Sequence, residues 1–166
     1  MLTTETYVLE DAIDELKDHI ATLDEALDEL DSSTSEYERT ESQKDRLAYF
    51  KNGLQWQRDE EGWSPGAEIE LGAMTASEEA MMHRERPSTA EKDERRLWWV
   101  AASTVDAPYV GDDLAETFRN LGQCHPGFPK WAEAKANALG VPGAPGNSSE
   151  GETNSTTSSS SDSPTE

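Results

Sequence analysis

Residues 9–30 read Leu-Glu-Asp-Ala-Ile-Asp-Glu-Leu-Lys-Asp-His-Ile-Ala-Thr-Leu-Asp-Glu-Ala-Leu-Asp-Glu-Leu. Apolar residues recur four and three apart, at Leu9, Ile13, Leu16, Ile20, Leu23, Leu27 and Leu30. A helix gathers positions at that spacing into one seam. Extended backwards, the same heptads take in Leu2 and Thr6, so the helix is expected to start near residue 6. Mostly isoleucine at the a-type positions and leucine at the d-type positions favours a parallel two-stranded coil. Ala12 and Ala26 widen the stripe, which suits packing on a second helix of the same chain equally well. The rest of the surface is anionic: residues 7–31 hold ten acids and one base, Lys17.

Asp31-Ser32-Ser33-Thr34 breaks this pattern. Ser35 with Glu38 three residues on forms a capping box, opening a second helix over about 36–60 that Gly62 and Ser64-Pro65-Gly66 end. Residues 6–61 therefore read as a helical hairpin; a β-hairpin over 54–71 is the alternative, because Leu54-Gln55-Trp56-Gln57 alternates. Glu68-Ile69-Glu70-Leu71 also alternates and fits one short strand. Thr75 with Glu78, Ser88 with Glu91, and Asp113 with Glu116 then open three helices, the second expected over about 89–105. A fourth carries Phe128 and Trp131 and ends at Gly140, placed as a helix-terminating C′ glycine. Leu97-Trp98-Trp99-Val100-Ala101-Ala102 is apolar nearly all round, which marks a central, buried helix.

The expected fold is all-α. A helical hairpin or coiled-coil segment occupies 1–61, a small helical domain 67–140, and a Ser/Thr-rich tail 141–166. The tail holds only Val141 and Ala144 from the apolar set, too little to offset its ordering entropy, and is expected to be disordered.

Thirty-five acids against 14 bases give a formal charge of −21, spread over the whole chain, with only six lysines. Such a charge repels itself in dilute buffer, and molar salt shortens its range to about 3 Å. A high-salt cytoplasm is the expected setting, with an acidic mesophilic protein as the alternative. No basic stripe is available to neutralise phosphates, so neither nucleic acid nor an anionic membrane is an expected partner. No apolar run reaches the roughly 20 residues of a membrane span. The single cysteine, Cys124, excludes an intrachain disulfide.

No catalytic constellation is present, and no cofactor is implied. Glu79 and His83 lie four apart but lack a third ligand, and Cys124-His125 lacks the second pair of a zinc site, so no metal is expected. Trp98 and Trp99 are of more interest. Adjacent helical residues point about 100° apart, so one core does not readily bury both: either both are nevertheless core, the first expectation, or one of them lines a groove for a partner helix.

Over residues 69–140 the chain resembles the tail assembly chaperones of long-tailed phages and proviruses. The resemblance is carried by Ile69-Glu70-Leu71 followed by Met74-Thr75-Ala76-Ser77-Glu78, and by Ala101-Ala102-Ser103-Thr104-Val105-Asp106-Ala107-Pro108 leading to Asp113-Leu114. It closes on His125-Pro126-Gly127-Phe128 and Ala138-Leu139-Gly140. The N-terminal hairpin lies outside it, and the acid expected in the Pro/Gly joint is absent. The resemblance implies a non-enzymatic helical protein that binds the tape-measure protein while the tail assembles; with the acidic composition it implies a haloarchaeal virus or provirus. The candidate partner-binding residues are Trp98, Trp99, Tyr109, Phe118, Phe128 and Trp131, and self-association through the N-terminal helix is a further expectation. The rival reading is a halophilic coiled-coil adaptor unrelated to viruses.

Overall fold

The structure, a computed structural model, describes residues 1–141. The tail expected over 141–166 lies, but for Val141, outside the described residues. In order, the elements are β1 (Thr4–Val8), α1 (Leu9–Glu29), α2 (Ser35–Asp59), β2 (Glu68–Gly72), α3 (Ala76–Glu85), α4 (Lys92–Ser103), β3 (Thr104–Asp106), α5 (Leu114–Leu121) and α6 (Gly127–Leu139). The chain is mostly helical, but the all-α expectation is corrected by an antiparallel sheet of order β1-β2-β3.

The heptad reading began too early. Thr4-Glu5-Thr6-Tyr7-Val8 is rich in β-branched and aromatic residues, and it pairs with β2 from Thr4↔Gly72 to Val8↔Glu68. Leu2 is exposed and Thr6 lies in the strand, so neither belongs to the seam. β1 runs directly into α1 without a side-chain cap. The first N–H groups of α1 are satisfied from a distance: Leu9 donates to the Ala67 carbonyl at 2.9 Å and Glu10 to that of Pro65 at 3.0 Å.

Several caps fall one or more residues from their expected places. The cap of α2 is Thr34, whose hydroxyl accepts the Tyr37 N–H, rather than Ser35. Residues 87–90 form a turn closed by Ala90 N–H on the Pro87 carbonyl. α4 therefore begins at Lys92, with the Glu94 carboxylate accepting the Glu91 N–H at 2.9 Å, and Ser88 caps nothing. The Thr75–Glu78 box on α3 forms as read. Asp113 caps α5, while Glu116 takes the N–H of Asp112. The helix expected to reach residue 105 stops at Ser103, because Thr104–Asp106 turns onto β2. Gly140 keeps a right-handed conformation at φ −79°, so it is not a left-handed C′ glycine; among the described residues only Gly62, at φ 72°, is left-handed.

One hydrophobic cluster joins the hairpin to the rest. Leu9, Ile13 and Leu16 of α1 and Leu54 of α2 pack with Ile69 and Leu71 of β2, Val100 of α4 and Phe128 and Trp131 of α6. The two segments separated by the 62–66 turn thus share a core. α2 and α6 approach closely through two glycines: a Cβ on Gly53 would meet the Phe128 nitrogen, and one on Gly127 would strike the Tyr49 carbonyl. Gln57, fully buried, locks this joint by accepting the His125 N–H at 2.8 Å. α4 sits centrally, touching α3, α5, α6 and β3.

Candidate partner-binding surface

The two adjacent tryptophans of α4 end in different surroundings. Trp98 is 6% exposed and lies face to face on Phe118 of α5, ring centroids 4.4 Å apart and 14° from parallel. Trp99 is half-buried and borders a cleft between α4, the α3–α4 turn and α6. Its indole N–H is shielded from solvent and has no hydrogen-bond partner among the described residues.

The remaining candidates divide along the same line. Phe118 is half-buried under Trp98. Tyr109, Phe128 and Trp131 are 4%, 0% and 1% exposed and belong to an aromatic cluster with Tyr7 and Trp63. Burial raises the Tyr109 phenol well above its ordinary pKa, and its hydroxyl bonds that of Thr104 at 2.7 Å. These three and Trp98 face the interior. A chain this poor in apolar residues uses its aromatics, each burying large areas, to build the core. Of the six candidates, Trp99 and Phe118 alone keep appreciable solvent exposure.

The seam residues divide along the length of α1. Leu9, Ile13 and Leu16 are buried in the shared core, whereas Ile20, Leu23, Leu27 and Leu30 are half-buried towards the hairpin tip. α1 packs on α2 of the same chain. Lys44 pairs with Asp24 near the tip, and Arg58 pairs with Glu10 at 2.9 Å at the base.

The sequence reading missed a cationic face. Lys92, Arg95, Arg96 and Trp99 stand at i, i+3, i+4 and i+7 on α4, and Arg86 reaches the same cleft from the α3–α4 turn. Glu91 and Glu133 line it too, so four cations face two carboxylates. Arg96 is held by Glu133 at 2.6 Å and Asp93 at 2.7 Å. Arg86, Lys92 and Arg95 have no ion-pair partner among the described residues. Arg95 donates its Nε–H to the Ala90 carbonyl at 2.8 Å. The signal was hidden because Glu91-Lys92-Asp93-Glu94-Arg95-Arg96 is neutral as a window, and only the helical period sorts its charges.

A smaller cleft of about 210 Å³, lined by Leu97, Leu121, Pro126 and Pro129 together with Asp93 and Lys130, shares Arg96 with the Trp99 cleft. Among the described residues no three potential metal ligands come together, and no helix is long and apolar enough to cross a membrane. Comparison with protein-family models, curated proteins and solved structures found no match.

Proposed function

We propose that this protein is a non-enzymatic tail assembly chaperone of a haloarchaeal virus or provirus, acting in the high-salt host cytoplasm, and that it holds the helical tape-measure protein during tail assembly. The ordered motifs from Ile69 to Gly140 support this reading, and they fall at element boundaries: in β2, at the cap of α3, across β3 and the start of α5, and at both ends of α6. The observation that carries it is the divergence of the tryptophans, with Trp98 committed to the core and Trp99 open beside a cleft. Aromatic residues at the centre of such surfaces are the usual anchors of protein–protein binding.

The experiment is co-expression with the candidate tape-measure protein in high salt, followed by pull-down and melting. Trp98→Ala should cost about 3–5 kcal/mol of stability, as large aromatic truncations in cores do. Trp99→Ala should cost clearly less stability than Trp98→Ala and weaken capture by about 2 kcal/mol or more. If the wild type leaves that partner insoluble and unbound, the chaperone reading fails. The second reading is a coiled-coil adaptor that self-associates. It is favoured by Ile20, Leu23, Leu27 and Leu30, which stay half-buried towards the hairpin tip, and the mass in solution checks it.

A further inference from the structure

We infer that the Trp99 face of α4 docks an acidic, apolar-striped helical segment of a partner protein, with its carboxylates on Arg86, Lys92 and Arg95 and an apolar side chain against the Trp99 ring. The inference rests on reading this face as a partner surface, and it specifies the chemistry of what binds there.

The chain carries −21, yet here four cations converge against two carboxylates, and Glu133 is already engaged by Arg96. An anionic helix approaching most of this surface meets like charge, whereas at this cleft it finds three cations without carboxylate partners among the described residues. Screening at 1 M salt, with a Debye length of about 3 Å, removes long-range attraction but leaves ion pairs in direct contact. Trp99 shares its cleft with Arg86, Lys92 and Arg95, so one apolar ring stands among three cations that have no ion-pair partner among the described residues. An amphipathic helix whose acids flank an apolar position matches that arrangement. Nucleic acid fits less well, because its affinity comes from many phosphate contacts along a basic track, and this patch is short and set in a strongly anionic surface.

The test uses the full chain and two labelled peptides with the same leucine spacing, one with Glu and the other with Lys at the polar positions. A single-stranded oligothymidylate is the third probe. Anisotropy and tryptophan quenching are read at 0.15 M and 1 M KCl. The Glu peptide should bind best at both salts. Trp99→Ala, Lys92→Glu, and Lys92→Glu combined with Arg95→Glu should each weaken it at least tenfold while melting remains cooperative, with Lys92→Glu alone leaving the midpoint in place. Arg119→Glu, a cation of α5 outside the cleft, should stay within twofold of wild type. Equal or tighter binding of the Lys peptide or the oligonucleotide overturns the inference, as does an Arg119→Glu effect equal to that of Lys92→Glu. Co-expression separates this from the chaperone reading. Capture of the tape-measure protein that survives Lys92→Glu with Arg95→Glu overturns the docking inference alone. Cleft-specific binding of the Glu peptide, with that partner left uncaptured by the wild type, supports the docking inference and rejects the chaperone.

Discussion

Cys124 shows how packing sets the chemistry of a single side chain. It follows α5 and borders two clefts, one under Leu97 and one beside Trp63 and Tyr109. Its thiol is pushed up to about 12, first by burial and then by the Glu61 carboxylate. An ordinary thiol ionises near pH 8.5, and the thiolate is the reactive form. Iodoacetamide at pH 9 should therefore alkylate Cys124 slowly in the native protein and rapidly in denaturant; equal rates would show an accessible thiolate. The sign of the stability effect follows. Between about pH 8.5 and 12 the unfolded chain has released a proton that the folded chain still holds, so stability falls as pH rises. Cys124→Ser should flatten that fall in a series of melting curves.

At the scale of elements, the contact of α2 with α6 gives a prediction whose sign is opposite to the usual one. Gly→Ala inside an exposed helix normally stabilises by about 1 kcal/mol. Gly53→Ala would instead push a methyl into the backbone of Gly127 and Phe128 and should destabilise by about 2–3 kcal/mol, read from the denaturant midpoint. A neutral or stabilised variant would mean that the helices do not meet there. This contact was not legible in the sequence, since nothing local distinguishes Gly53 from a tolerated helix glycine. The elements that could be read were those whose signal is local: α1 from its seam, α3 and α5 from Thr75 and Asp113, and β2 from the alternation around Ile69. Those misread depend on distant partners. Residues 4–8 become a strand because β2 offers an edge, and α1 starts at Leu9 because the carbonyls of Pro65 and Ala67 receive its first N–H groups. The candidate site divides in the same way. The unlike fates of Trp98 and Trp99 follow from a 100° turn on one helix, whereas the cationic face needed the helical period and Arg86 from the neighbouring turn.

For the whole molecule, the governing quantity is charge. Were every base paired, 21 acids would remain uncompensated. The resulting repulsion is not spread evenly over the fold. Leu9, Ile13, Leu16, Phe50 and Leu54 anchor the base of the hairpin in the shared core. Its tip sets half-buried side chains, Ile20, Leu23, Leu27, Leu30 and Tyr37 among them, and the Lys44–Asp24 pair against the acids of α1. In dilute buffer, where the Debye length is about 30 Å at 0.01 M, those acids act on one another across the whole hairpin; at 1 M it is about 3 Å and only neighbours do. The helical circular dichroism signal should therefore be weaker in dilute buffer and recover in molar KCl. Amide exchange should show protection lost first over residues 20–47 and last around Leu54 and Ile69. Salt also strengthens apolar burial at high concentration, so the cause needs separating. Sucrose does the latter without screening charge. If KCl restores the hairpin tip and sucrose does not, screening is responsible. Equal, cooperative melting with and without salt would show that packing alone outweighs the repulsion, and the high-salt setting would lose its physical basis.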